Sequence, residues 1–378
     1  MKRMLFFHQG KFSNTNAAVL GELRSQLPNT DIRAVDINHM LKAKPSILLA
    51  NLLAACRQYG WDMLRMRRGF DDSFFGTRHL FNRVRQWARQ VHREWPADCT
   101  FQTQSIFDCS IPGTPHFVYT DHTYESCKEY PVYGKAVWTP LRPEWLIEME
   151  RGIYEHAACT FTMSQNVTTT LIEKYRIPLD RVLCVRAGCN ALQQRLCGIP
   201  LDPARYWKKR ILFVGKNWAL KGGPELLVAF RIVRAAHPDA TLTIAGCSPR
   251  VHEKGVSVVG FLSLNEVVEY YARASVFCLP SKIEAFGIVF LEALAAGLPV
   301  IALRLGAAPD FVLPGRTGCL VEPGDVQGLA DAMAGLLSRP KECLEFGLEG
   351  RRLVQEQYTW KIVCDMIRAK VLGTLGVA

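Results

Sequence analysis

One stretch leaves few choices of fold: Leu279-Pro-Ser-Lys-Ile-Glu284-Ala-Phe-Gly287-Ile-Val-Phe-Leu-Glu292-Ala-Leu-Ala-Ala-Gly297-Leu-Pro-Val-Ile-Ala302. Val276–Leu279 is apolar and β-prone, which predicts a buried strand that Pro280 and Ser281 end. A helix is expected from Phe286 or Gly287 to Ala296, stopped by Gly297, with Pro299 opening the next strand. Strand, loop, helix and strand in that order form a βαβ unit, and such units build parallel sheets covered by helices.

Two carboxylates are out of place in this pattern. Glu292 has Ile288, Val289, Ala295 and Ala296 three and four residues away, so it shares a helix face with apolar groups. A buried carboxylate is expensive unless a hydrogen-bond partner or a ligand meets it. Glu284 stands just before the helix, three residues from Gly287. The amides of Gly287, Ile288 and Val289 belong to a helix N-terminus, a ready anion site, and Gly287 lets a phosphate come close. A plainer reading makes Glu284 a surface loop residue and Glu292 a cap on a neighbouring loop. The buried charge speaks against it.

At 378 residues the chain exceeds one ordinary core, so two domains are expected. The first residues, Met-Lys-Arg-Met-Leu-Phe-Phe-His, hold too short an apolar run for a signal peptide and read as a strand. The longest apolar candidate for a membrane span, 289–308, is interrupted by Glu292, Pro299, Arg304 and two glycines. Thirteen cysteines with no Cys-x-x-Cys, and no His near Cys184, Cys189 and Cys197, read as free thiols in a reducing, cytoplasmic compartment. Most of the net charge of +11 falls in 1–200, which suits an anionic surface or a phosphorylated acceptor.

Taken in order, Arg3–His8 is expected as a strand, with Gly10 in the loop before a helix over Asn16–Leu27. Asp31–Ile37 follows as a strand and Pro45–Tyr59 as a helix. From Arg57 to Arg93 nine arginines are set among Tyr59, Trp61, Phe70, Phe74, Phe75, Phe81 and Trp87. Leu80, Val84, Trp87, Ala88, Val91 and Trp95 fall at helical spacing, with Arg78, Arg83, Arg85, Arg89 and Arg93 largely off that stripe. Such a helix presents either a solvated basic face or a surface for anionic lipid headgroups. Nothing else in the chain supports a nucleic-acid partner. Pro115–Thr120 reads as a buried strand ending in Asp121-His122-Thr123, where open α/β sheets gather ligands. Either Asp121 or His122 could face the ligand.

Glu144–Ala157, Cys159–Met163, Gln165–Tyr175 and Val182–Val185 continue the helix–strand alternation. Gly188–Lys208 lacks periodicity and reads as the linker. A second series follows: strands at Arg210–Gly215, Thr241–Gly246 and Val256–Phe261, and helices after Lys221-Gly222-Gly223, at Asn265–Arg273 and at Asp325–Ser338. Gly315-Arg-Thr-Gly318 reads as a loop. Lys216 and Lys221 stand in the loop after Arg210–Gly215.

At these residues the chain resembles the family-four retaining glycosyltransferases. Glu284 and Glu292 match their Glu-x7-Glu motif, and the flanking Pro-Ser, Glu-Ala-Phe-Gly, Glu-Ala-Leu-Ala-Ala-Gly and Pro-Val-Ile-Ala follow the same pattern. The resemblance implies the GT-B fold, an α/β architecture of two Rossmann-like domains facing across a cleft. It divides the chain into an acceptor domain over 1–200, a nucleotide-sugar donor domain over 201–357, and a terminal helix over 358–378 that crosses back. It implies that Glu292 holds the donor ribose and that Glu284 lies against the donor sugar. Gly215, Lys216 and Lys221, with the amides at Gly287, Ile288 and Val289, then meet the diphosphate, and His122 lies near the donor sugar as a catalytic group beside Lys221 and Glu284. Where the family writes Gly-Arg, this chain has Gly215-Lys216, which keeps the charge and loses the bidentate fork.

The implied reaction is retaining sugar transfer from a nucleotide diphosphate sugar, with UDP favoured, to a glycan, lipid-linked or other hydroxyl acceptor. The chain holds no Asp-x-Asp and no Gly-x-Gly-x-x-Gly, so no metal site and no cofactor beyond the donor is expected. Peripheral contact with anionic membrane accompanies this reading. Two alternatives stay open: a nucleotide-sugar epimerase on the same fold, and a non-catalytic partner of a glycosyltransferase complex that binds nucleotide-sugar or membrane.

Overall fold

A computed structural model describes residues 1–64, 70–130, 144–189 and 192–377. Three arginines of the basic run, Arg65, Arg67 and Arg68, lie outside these residues, as do Asn190 and Ala191 of the expected linker. The chain divides into two compact units, Met1–Arg186 with Trp360–Ala378, and Ala187–Thr359.

The first unit alternates strands and helices in the order β1 (Arg3–His8), α1 (Thr15–Gln26), β2 (Asp31–Asp36), α2 (Ile37–Ala43), α3 (Pro45–Leu64), α4 (Phe70–Phe75), α5 (Arg78–Glu94), β3 (Cys99–Thr103), β4 (His116–Thr120), α6 (Glu144–His156), β5 (Cys159–Thr162), α7 (Gln165–Glu173) and β6 (Val182–Cys184). The second continues through α8 (Gln193–Cys197), β7 (Arg210–Val214), α9 (Gly223–Ala236), β8 (Thr241–Ala245), β9 (Val256–Gly260), α10 (Leu264–Arg273), β10 (Val276–Leu279), α11 (Ile288–Ala295), β11 (Val300–Leu303), α12 (Ala308–Phe311), β12 (Gly318–Val321), α13 (Val326–Leu337) and α14 (Pro340–Gln357). The last helix, α15 (Trp360–Thr374), rejoins the first unit against α1, burying Cys364, Ile367 and Val371.

Each unit is built on a six-stranded parallel sheet, ordered β2-β1-β3-β4-β5-β6 in the first and β12-β11-β10-β7-β8-β9 in the second. A parallel sheet covered on both faces selects continuous apolar strands over alternating ones. Met4 to Phe7 and Val276 to Leu279 are accordingly fully buried along their length.

The two strands that the sequence reading did not place, β3 and β12, have no such run. In β3, Thr100 and Gln102 are buried polar residues, satisfied by the ring of His116 at 2.7 and 3.0 Å. In β12, expected as loop at its Gly318 end, glycine is required because a methyl there would overlap the Val300 carbonyl. The stretch taken for a linker is also structured. Its Leu196, Ile199 and Tyr206 are buried, and α8 packs on α10 and α11, so the division falls between Arg186 and Ala187 rather than near 200.

On α5 one arginine of the basic row departs from both readings of it. Arg85 turns inward to pair with the fully buried Asp108 at 2.6 Å, where its charge offsets part of the cost of taking the carboxylate out of water. Arg78 lies 4.9 Å over the Trp145 ring, and Arg83, Arg89 and Arg93 stay exposed.

In the second unit α11 is enclosed. Phe290, Leu291, Ala293, Leu294 and Ala295 are buried, and glycines of α14 make room for it: a methyl at Gly350 would stand 2.7 Å from Leu294 Cδ2. Its last carbonyls have no intrahelical donors. Arg351 donates to Ala295 at 3.0 Å, Arg205 donates to Ala296 at 2.9 Å and to Gly297 at 2.5 Å, and the Tyr206 hydroxyl reaches Gly297 at 2.7 Å. Two cations at a helix C-terminus also favour the helix dipole. Arg205→Leu leaves these carbonyls short of donors in a dry site and should destabilise the second unit by about 1–3 kcal/mol, read from the urea midpoint. An unchanged midpoint would show that the guanidinium does not hold the helix.

Candidate active site

Strand order reverses in the second sheet between β7 and β10, the position at which open α/β sheets bind ligands beyond the strand C-termini. The loops after these two strands carry Lys216, Lys221 and Glu284.

After β7, Asn217 builds the turn: its side chain accepts from the Leu220 amide at 3.0 Å and its carbonyl from the Lys221 amide at 2.9 Å. Gly222 follows with φ +73°, and a methyl there would overlap the Pro280 carbonyl. The β7 and β10 loops are thus in contact through a glycine. Lys282 reinforces the contact, donating its amide to Leu220 at 2.9 Å and its ammonium to Glu225 at 2.6 Å.

Across this seam the Lys221 ammonium donates to Glu284 at 2.6 Å and to the Ile283 carbonyl at 3.3 Å. The Glu284 side chain is 13% exposed and that of Lys221 24%, so the pair is sheltered yet reachable from solvent. Gly306 backs the loop, where a methyl would overlap the Glu284 carbonyl. Gly287 caps α11 at φ +84°, a conformation that favours glycine. The first-turn amides at Ile288 and Val289 are those that α11 cannot satisfy within itself. Lys216 is exposed at the end of β7, beside Gly215.

Glu292 lies one turn after Ile288. The hydroxyl of Tyr271, fully buried on α10, donates to it at 3.2 Å. Burial lifts the Glu292 carboxyl to about 7, and the Tyr271 hydrogen bond only partly opposes this. The sequence pattern demanded a partner for Glu292 but could not name Tyr271, which stands 21 residues away on another helix.

His122 belongs to the first unit, in the loop after β4. Its Nδ1 is 2.6 Å from Asp121, and its carbonyl accepts from the Thr120 hydroxyl at 2.8 Å. The two side chains between which the sequence left a choice are therefore paired, with the carboxylate orienting the ring. In the loop after β1, the Gly10 amide donates to Asp36 at 3.2 Å and its carbonyl accepts from Asn16 at 2.8 Å. Among the described residues no group of three His, Cys, Asp or Glu side chains could hold a metal ion.

The raised Glu292 carboxyl has a consequence for stability. Its folded value stands above its ordinary 4.5, so the native state binds the proton more tightly than the unfolded chain. Stability is therefore lost as pH rises from about 4.5 through about 7, and the full penalty stands above 7. Glu292→Gln removes the titration. The variant should melt higher than the parent at pH 8, by about 1–3 kcal/mol, and the difference should shrink toward pH 5. A difference independent of pH in thermal melts would show that this carboxyl does not titrate as described.

Known proteins resemble this chain in sequence and in fold. Residues 208–339 match the family model described as Glycosyl transferases group 1. The chain is 28% identical over 230 residues to a glycogen synthase of Mycobacterium tuberculosis, covering 58% of this chain and 53% of the relative. It is 35% identical over 164 residues to a GDP-mannose-dependent monoacylated alpha-(1-6)-phosphatidylinositol monomannoside mannosyltransferase of Corynebacterium glutamicum, covering 39% of this chain and 42% of the relative. The chain thus spans about half the length of the curated relatives it matches. Among solved structures, sucrose-phosphate synthase from Thermosynechococcus elongatus superposes over the whole of both chains with a TM-score of 0.66 at 16% identity. Anabaena HepE, solved with UDP and glucose, covers 99% of this chain and 100% of its own with a TM-score of 0.64 at 12% identity. Residues 208–339 thus resemble the glycosyl transferases group 1 family, and the chain has the two-domain α/β fold of these solved structures, the GT-B fold.

Proposed function

We propose that the chain is a retaining glycosyltransferase that moves a sugar from a nucleotide diphosphate sugar to a hydroxyl of a glycan or lipid-linked acceptor. The observation that carries this reading is the Lys221–Glu284 pair at the strand-order reversal, beside the N-terminus of α11. As the bond to the diphosphate breaks, negative charge grows on the leaving group and positive charge at the anomeric carbon. Lys221, Lys216, the amides of Ile288 and Val289, and the close approach allowed by Gly215 and Gly287 stabilise the former without a metal. Glu284 stands against the donor sugar, and Glu292 accepts from two ribose hydroxyls, which favour its charged form. His122, oriented by Asp121, is the catalytic group that the resemblance puts near the donor sugar. No nucleophile is assigned, so attack comes from the face of the leaving phosphate. A UDP-sugar is the first donor to test, and the mannosyltransferase relatives, named as GDP-mannose-dependent, make GDP-mannose the second.

Incubation with a panel of nucleotide sugars tests the reaction class. Slow donor hydrolysis or transfer supports it, epimerised sugar would replace it with an isomerase, and an inert panel would leave a binding partner. Activity should survive a chelator. Lys221→Ala should lower turnover from saturating donor by about 10²–10³. Glu292→Gln should weaken nucleoside diphosphate binding by about 1–3 kcal/mol in calorimetry. Wild-type turnover in the first variant or unchanged affinity in the second would remove that residue from the site.

We also propose a cytoplasmic location with peripheral contact to anionic membrane. Among the described residues no helix is long and apolar enough to cross a membrane. The outer face of α3 nevertheless exposes Leu49, Leu53, Trp61 and Leu64 by 63–79%, beside α5 with its exposed Arg83, Arg89 and Arg93. Apolar side chains next to arginines suit an anionic leaflet, where each basic residue is worth about 1 kcal/mol. Sedimentation with liposomes should show binding that salt weakens and that is lost when Leu49, Leu53, Arg89 and Arg93 become Glu. Equal pelleting with neutral vesicles would refute it.

A further inference from the structure

Glu150 lies on α6 in the middle of the first unit and is 1% exposed. Its two oxygens receive hydrogen bonds from four neutral groups. Oε1 accepts from the Ser105 hydroxyl at 2.8 Å and the Tyr154 hydroxyl at 3.0 Å. Oε2 accepts from the Tyr124 amide at 2.8 Å and from the Tyr175 hydroxyl. A charge buried without a countercharge is costly, and an apolar side chain of similar size would fill the same space. What the carboxylate adds is the set of places it joins: the loop after β3, the loop after β4 and the end of α7.

The loop after β4 is the one that bears His122. The Thr123 amide donates to the Ser126 hydroxyl and the Ser126 amide to the Thr123 hydroxyl, both at 3.0 Å. The Tyr124 amide ends on Glu150, and the Glu125 amide on the Tyr175 hydroxyl at 3.3 Å, which itself donates to Glu150. On the other side, Thr120 holds the His122 carbonyl and Asp121 holds its ring.

We propose that Glu150 is a positioning residue, whose carboxylate fixes the Asp121–His122 turn by holding the backbone two residues beyond it. The role rests on the glycosyl-transfer reading, and on His122 acting in it. Displacing a reacting group by about 1 Å costs about 10²-fold in rate, so an anchor at this distance is felt in turnover.

Glu150→Gln separates the anchor from the charge. Its carbonyl can keep the Tyr124 amide, while its amino group faces the Ser105 and Tyr154 hydroxyls, which can rotate to accept. Glu150→Ala keeps none of these bonds. Turnover and donor KM are compared for the parent, Glu150→Ala, Glu150→Gln, His122→Ala and the Glu150→Ala/His122→Ala double variant. Glu150→Ala should lose about 10–100-fold in kcat with donor KM little changed, and Glu150→Gln should recover most of it. The double variant should be no slower than His122→Ala alone, since a residue acting through His122 has nothing left to position. Wild-type kcat in Glu150→Ala, or losses that multiply in the double variant, would overturn the proposal. If Glu150→Ala does not fold by circular dichroism, Tyr175→Phe replaces it with a smaller loss that again vanishes beside His122→Ala. If the parent turns over no donor, the transfer reading falls, and amide exchange across residues 120–126 decides the anchor. Protection kept in Glu150→Gln but lost in Glu150→Ala or Tyr175→Phe upholds it, and protection unchanged in all of them sinks it.

Discussion

The second unit depends on how the short helix α11 is held. Its C-terminal carbonyls are taken by the buried Arg205 and by Arg351, with Tyr206 alongside. A helix of eight residues is too short to be stable alone, so its direction is set by packing and by these end contacts. With the carbonyl end neutralised, the amide end at Gly287 is presented toward the Lys221–Glu284 pair. The arginines that secure the helix lie at the opposite end from the side chains assigned to the donor.

The loops at the site rely on glycine where backbones touch. Gly222 meets the Pro280 carbonyl and Gly306 meets the Glu284 carbonyl, each at positive φ. A side chain at either position would push apart segments that bring Lys221 within 2.6 Å of Glu284. Such close approaches are local in space and distant in sequence, and they hold a charged pair in one geometry before any ligand arrives.

Two buried carboxylates show how partners decide what a buried charge does. Glu150 fills its acceptor capacity with four donors and ties loops together. Among the described residues Glu292 has the Tyr271 hydroxyl as its side-chain donor, and burial lifts its carboxyl to about 7. The first behaves as a structural knot. The second keeps room for further donors.

Much of this was readable in the chain. Apolar runs such as Met4–Phe7 and Val276–Leu279 marked buried parallel strands, because burial on both faces demands such runs. Gly287 and Gly297 marked the limits of α11, and Glu292 announced a charge in an apolar face. β3 was hidden, because its Thr100 and Gln102 become acceptable in a core only once His116 is beside them. Arg85 looked solvated because Asp108, its partner, stands 23 residues away. Local residue order thus determined which segments become strands and helices and which residue types carry the chemistry, since propensity, periodicity and chain reversal act over a few residues. Tertiary structure alone decided the partners Tyr271, Arg205, Arg351 and Asp108, because hydrogen bonds and ion pairs between distant segments depend on where the sheets bring them, and no spacing in the chain encodes that.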